Sequence, residues 1–197
     1  MRVGNARRWL LAGLLLGPGA GAQPKPPGPR GPFLTLQVGG GLGLLALGGG
    51  YRGNPRLEPE LLVGYVPRAL SSRPLFIFTA KATYVPRYPR LRLGEQWQAQ
   101  PLAVGSFVSY STGRQFFLGS ARTGRYAKGY YWWPTALRLG AAASLRVVRA
   151  PPAGPGFRQL LYSEWSTNDL YLVSKAANRR LRASEIMVWG AGAKAGW

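Results

Sequence analysis

Apolar and polar residues alternate one by one along much of the chain, the period of a strand with one apolar face and one polar or small face. In "LEPELLVGYV", Glu58, Glu60, Leu62 and Gly64 share one face, and Leu57, Pro59, Leu61, Val63 and Tyr65 the other. In "LFIFTAKATY", Thr79, Lys81 and Thr83 alternate with Phe76, Phe78, Ala80, Ala82 and Tyr84. In "ALRLGAAASLRVV", Arg138, Gly140, Ser144 and Arg146 alternate with Leu137, Leu139, Ala141, Ala143, Leu145 and Val147. "QLLYSEWS" puts Tyr162 and Glu164 on one side, and "PLAVGSFVSYST" alternates more weakly. In "EIMVWGAGAKAGW", Trp189, Ala191, Ala193, Ala195 and Trp197 alternate with Gly190, Gly192, Lys194 and Gly196.

These patterns predict strands at 57–66, 75–85, 100–112, 135–149, 157–166 and 185–197. Splitting "FLTLQVGGGLGLLALGGGY" at its glycines supplies two more and makes eight, an even number that leaves both termini at one end. The alternative keeps 33–51 as one strand and takes "DLYLVSKA" as the eighth. The split is preferred because it places the long segments 113–134 and 167–184 together on the outside.

The expected fold is all-β, a closed antiparallel transmembrane β-barrel of about eight strands. The strands are longer than the usual five or six residues of soluble sheets and suit a tilted membrane crossing. Tyr65, Tyr84, Tyr110 and the "YYWW" run at 130–133 fall near strand ends, where membrane girdles sit. Closure leaves no unpaired backbone edge in lipid. A secreted β-sandwich binding module is the competing account of the same alternation.

The segment 1–22, "MRVGNARRWLLAGLLLGPGAGA", combines a basic start, an apolar core from Trp9 to Leu16 and small residues before Gln23. Those are the three parts of a secretory signal peptide. The segment 23–32, "QPKPPGPRGP", carries five prolines and reads as an extended linker. The remainder, 33–197, is the expected barrel, and no stretch of it reaches the roughly 18 apolar residues of a transmembrane helix.

Charge and side-chain chemistry narrow the reading. The chain has 26 basic and 6 acidic residues, a formal charge of +20. Such a surplus points to an anionic partner or to an arginine-biased composition. Export argues against nucleic acid and for membrane lipid.

There is no cysteine, so disulfides and thiolate metal sites are excluded. There is also no histidine, the commonest general base and metal ligand. No carboxylate cluster has metal-ligand spacing, and the glycine run lacks the lysine of a phosphate loop. No metal or cofactor is expected.

The signal-like start, the alternating strands and the terminal Trp197 resemble those of small bacterial outer-membrane β-barrel proteins. The segments "LLVGYVP", "YYWWPTALRLG" and "LYSEWSTNDLYLVS" are similar to a family of uncharacterised outer-membrane proteins, a likeness that covers most of 33–197 and brings no established activity. The resemblance implies an integral outer-membrane location. It also implies that the last strand, with Trp189 and Trp197, is the signal read by the barrel-assembly machinery.

Among barrels of this class, the lipid A palmitoyltransferases and deacylases, the phospholipases and the omptin proteases all depend on a histidine, which this chain lacks. A His-free enzyme would need an interior serine, with Ser106, Ser109, Ser111 or Ser144 near Lys81. The period-two phase instead places Glu58, Glu60, Lys81, Arg138, Arg146, Glu164 and Lys194 inside. Charges there must be paired, because an eight-stranded interior is filled by side chains. These residues are expected to form a plugging ion-pair network or to line a small polar path. Loop arginines beside aromatics, Arg122, Arg125, Arg179, Arg180 and Arg182, are candidate contacts for lipid phosphate.

Overall fold

The structure, a computed structural model, describes residues 30–87, 91–113, 116, 134–149 and 158–196. The signal-like segment, most of the linker, the "YYWW" run, Arg122, Arg125 and Trp197 lie outside the described residues.

Eight antiparallel strands close into one barrel: β1 (Gly31–Gly39), β2 (Leu45–Arg52), β3 (Leu57–Val66), β4 (Leu75–Tyr84), β6 (Trp97–Ser111), β7 (Leu137–Arg149), β8 (Arg158–Asn168) and β9 (Val188–Gly196). A ninth short strand, β5 (Leu91–Leu93), pairs only with the start of β6. Neighbours in sequence are neighbours in the sheet, and the β1–β9 and β4–β6 ladders close the circle. A single closed sheet replaces the two packed sheets that a sandwich requires.

The glycine run resolves as two strands. Gly39, Gly40, Gly41 and Gly43 all take positive φ, between 71° and 116°. A residue with a Cβ resists that conformation. The turn they make reverses the chain and also switches which residue parity faces out. Leu34, Leu36 and Val38 are exposed before it, whereas Leu45 and Leu47 are exposed and Ala46 is buried after it.

"DLYLVSKA" forms helix α1 (Asp169–Ala177) rather than a strand. Asn168 caps it by accepting from the Tyr171 N–H at 3.1 Å, and Asp169 sits in the first turn. Both satisfy or complement the free N–H groups of a helix start. A 3-10 turn at Ala183–Glu185 follows.

β1 begins at Gly31, inside the segment read as linker. Pro32 is tolerated there because it is near the strand's first residue.

β5 occupies the lane that β4 would fill if it continued, since β7 covers the other edge of β6. The sequence between β4 and β5 carries Pro86 and Pro89, which have no N–H to give a ladder. Opposite the break, the β6–β7 register shifts between Gln100 and Ala103, and Pro101 and Leu102 both point out. This bulge leaves an extra residue on β6 and is why the alternation of that strand is weak.

The facing ends of β1 and β2, β3 and β4, β6 and β7, and β8 and β9 share the end that carries α1. The other end holds the facing ends of β2 and β3, β4 and β6, and β7 and β8, with residues 30 and 196.

Candidate functional site

The centre of the barrel is charged. On β3, Glu58 and Glu60 face inward two residues apart; Lys81 on the adjacent β4 points into the same lumen, and Arg146 on β7, Tyr162 and Glu164 on β8 and Lys194 on β9 face them across it, all buried. The inward face of each strand follows from its alternation, and the closed sheet brings opposite strands within side-chain reach.

Glu58 is the hub of the half nearer the chain ends. One carboxylate oxygen accepts from Arg52 Nε at 3.1 Å and Nη2 at 2.7 Å. The other accepts from Arg146 Nη2 at 2.6 Å and Lys194 Nζ at 3.3 Å. Lys194 then bridges to Glu60 at 2.9 Å, and Glu60 accepts from the Thr35 hydroxyl at 2.7 Å.

The half nearer α1 is built on Glu164, whose two oxygens each accept from Lys81 Nζ at 2.7 Å. Gln37 donates to Glu164 at 3.3 Å and accepts from the Tyr162 hydroxyl at 2.8 Å. The Tyr162 ring stands between the halves, with Lys81 Nζ 5.6 Å and Lys194 Nζ 5.8 Å from its centroid. Both ammonium groups are within reach of attraction by the ring face.

Apolar layers close the network on both sides. Leu42, Ala46, Leu62 and Phe107 pack toward the helix end, and Val148 and Leu160 toward the other, in contact with the Tyr162 ring. Gly140 makes room for Phe107: a Cβ there would meet the ring at 2.0 Å. A void beside Phe33, Arg52 and Lys194 measures about 10 Å³, room for one water at most.

Six of the seven sequence-predicted interior residues, Glu58, Glu60, Lys81, Arg146, Glu164 and Lys194, therefore meet in the lumen in two clusters of ion pairs and hydrogen bonds, with the Tyr162 ring between them. Arg138 does not. It has the right face but lies near the helix end, half-buried, 3.7 Å from Asp169 and bonded to the Pro134 and Leu137 carbonyls. Arg52, Thr35, Gln37 and Tyr162 belong to the network and were not among the candidates.

Ser106 faces outward and so shares no interior with Lys81, whereas Ser109 and Ser144 are inside. It helps to floor an apolar groove of about 770 Å³ on the outer wall, with Pro59, Ala80 and Ala82, beneath Leu61 and Leu139. Lys81 gives its ammonium to Glu164 and Gln37.

Among the described residues no group of three or more His, Cys, Asp or Glu residues could hold a metal, and no helix is long and apolar enough to cross a membrane. Trp189 lies on the outer wall next to Trp165, its register partner, and donates to the Ser163 hydroxyl at 2.8 Å. In comparisons with known proteins, the chain matches no family model and no curated protein.

Proposed function

We propose that this chain is an integral β-barrel of the bacterial outer membrane, without catalytic activity, acting in envelope structure, adhesion or lipid contact. The observation that carries this reading is the inverted polarity of the barrel. Four cations and three carboxylates are buried at its centre, whereas Leu34, Leu36, Leu47, Leu61, Leu145 and Leu161 are exposed on its wall, Leu61 to 69%. A soluble monomer rarely exposes a contiguous apolar patch beyond a few hundred Å². For a barrel in lipid, an apolar outside and a polar inside are the expected arrangement.

Aromatic residues support the same reading. Tyr65 and Phe76, with ring centroids 5.4 Å apart, Tyr110, Trp165 and Trp189 ring the helix end of the wall. Tyr51 and Tyr84 mark the other end. On β4, Phe76 and Tyr84 are separated by roughly 26 Å along the strand at about 3.3 Å per residue. A tilt of about 40° reduces this to about 20 Å, which suits an outer membrane, thinner than the average bilayer.

The plugged lumen and the commitment of Lys81 to Glu164 support a non-conducting, non-catalytic interior. Outer-membrane lipid and, during biogenesis, the barrel-assembly machinery are the partners this reading implies. The test is fractionation followed by electrophoresis with and without boiling. The protein should remain in the carbonate-washed membrane pellet and migrate faster unheated; recovery in the soluble fraction overturns the proposal. Lipid A mass spectra from cells with and without the protein should be the same, and a new acylated or deacylated species would remove the non-catalytic part.

A further inference from the structure

We infer that helix α1 and the turn after it form a docking surface for the anionic phosphate head groups of the membrane leaflet at that end of the barrel. This rests on the membrane reading above and goes further by naming the surface and its ligand.

The helix poses the problem. It has no buried residue, yet Leu170, Tyr171, Leu172 and Val173 are consecutive, large, apolar and exposed. Four consecutive helical residues cover a full circle at about 100° each, so packing one helix face on the barrel cannot satisfy them all. On the barrel, α1 lies against β7 and β8.

The turn supplies the complementary charge, and it is held in place. Lys175 Nζ donates to the carbonyls of Arg179, at 3.1 Å, and Leu181. The Asn178 side chain accepts from the Arg180 N–H at 3.1 Å, and the Glu185 carboxylate accepts from the Arg182 N–H. These bonds fix the backbone while the side chains of Arg179, Arg180 and Arg182 stay exposed. Glu185, the sole acidic residue in the sequence from 170 to 196, is already committed to the backbone. Arg68 and Arg73 are exposed in the β3–β4 turn at the same end, and that turn has no acidic residue.

The order of chemistry along the chain gives the ligand. From outward-facing Leu161 on β8 the chain passes Trp165, then the apolar helix, then the guanidinium cluster, and returns to the wall at Trp189. A leaflet presents acyl chains, interface and phosphate in that same order. Arginine matches phosphate with paired N–H donors, and the apolar helix selects a lipid rather than a free ion as its source.

The chain has no cysteine, so Ala176→Cys in the full-length protein gives one labelling site on the exposed helix. With a polarity-sensitive fluorophore there, the barrel is reconstituted in phosphatidylcholine vesicles with or without phosphatidic acid. Emission should shift to the blue in the anionic vesicles. The shift should fade with added salt and be lost in R179Q/R180Q/R182Q, whose docking equilibrium constant falls on the order of fivefold per arginine removed.

Inorganic phosphate should leave the emission unchanged; reversal by it would make the free ion the ligand and overturn the lipid assignment. Equal emission in the two vesicles, or in the triple variant and its parent, with the heat-modifiable barrel inserted, overturns this inference alone. Failure of the barrel to insert in either vesicle overturns the membrane reading and this inference with it.

Discussion

Glu58 accepts from three cations at once, Arg52, Arg146 and Lys194, which makes it the residue whose loss leaves the most uncompensated charge. Glu58→Gln should destabilise the folded barrel by about 3–5 kcal/mol, the usual cost of breaking a buried ion pair from one side. Denaturant unfolding in micelles measures it, and a change below about 1 kcal/mol would mean the hub is not what holds the three cations. Lys81 and Glu164 form the simpler pair. Here Lys81→Met or Glu164→Leu alone should cost more than both together, because the double variant leaves no lone charge in the lumen. A double variant as unstable as the sum of the singles would contradict this.

Local residue facing was legible in the sequence wherever alternation was unbroken. Glu58, Glu60, Lys81, Arg146, Glu164 and Lys194 all follow from parity. Parity gives a face, though, and not a height, so it does not separate Arg138 from Arg146, which lies toward the other end of the same strand. Arg52 carries no parity signal because "LALGGGYR" has lost its alternation to glycine. Thr35 and Gln37 carried a usable signal, alternating with Leu34, Leu36 and Val38, but neutral polar residues do not stand out as ionic partners. Pairing was not legible either. Lys81 stands opposite Glu60 in the β3–β4 register yet bonds Glu164, a choice visible only once the sheet closes.

Among the elements, β7 depends on a small residue for its packing. Gly140 lies beneath the Phe107 ring of β6, and Gly140→Val should cost about 1–3 kcal/mol through overpacking. Phe107→Ala in the same chain should recover part of it. Unfolding midpoints of the two single variants and the pair decide this, and strict additivity would mean the two sites are not in conflict. The elements hardest to foresee were β6, where the bulge at Gln100–Ala103 interrupts the period, and the segment between β8 and β9, where the Asn168 cap selects a helix over a strand. The eight-strand count and the split of 33–51 were legible because glycines that tolerate positive φ mark the turn.

At the scale of the whole molecule, the closed sheet turns the alternating patterns into a barrel with its charges inside and its aliphatic side chains outside. The packed lumen predicts no stable large conductance in planar-bilayer recordings, and sustained large currents would refute the plug. The membrane reading stands or falls on the apolar wall, which spin-label accessibility along β3 probes position by position. Single cysteines replace the outward residues Leu57, Pro59, Leu61, Val63 and Tyr65 in turn, in chain reconstituted in phosphatidylcholine vesicles. High oxygen and low nickel-chelate accessibility is expected at 59, 61 and 63, with the chelate reaching 57 and 65. Equal access of both reagents at position 61 would place that wall in water and contradict the membrane reading.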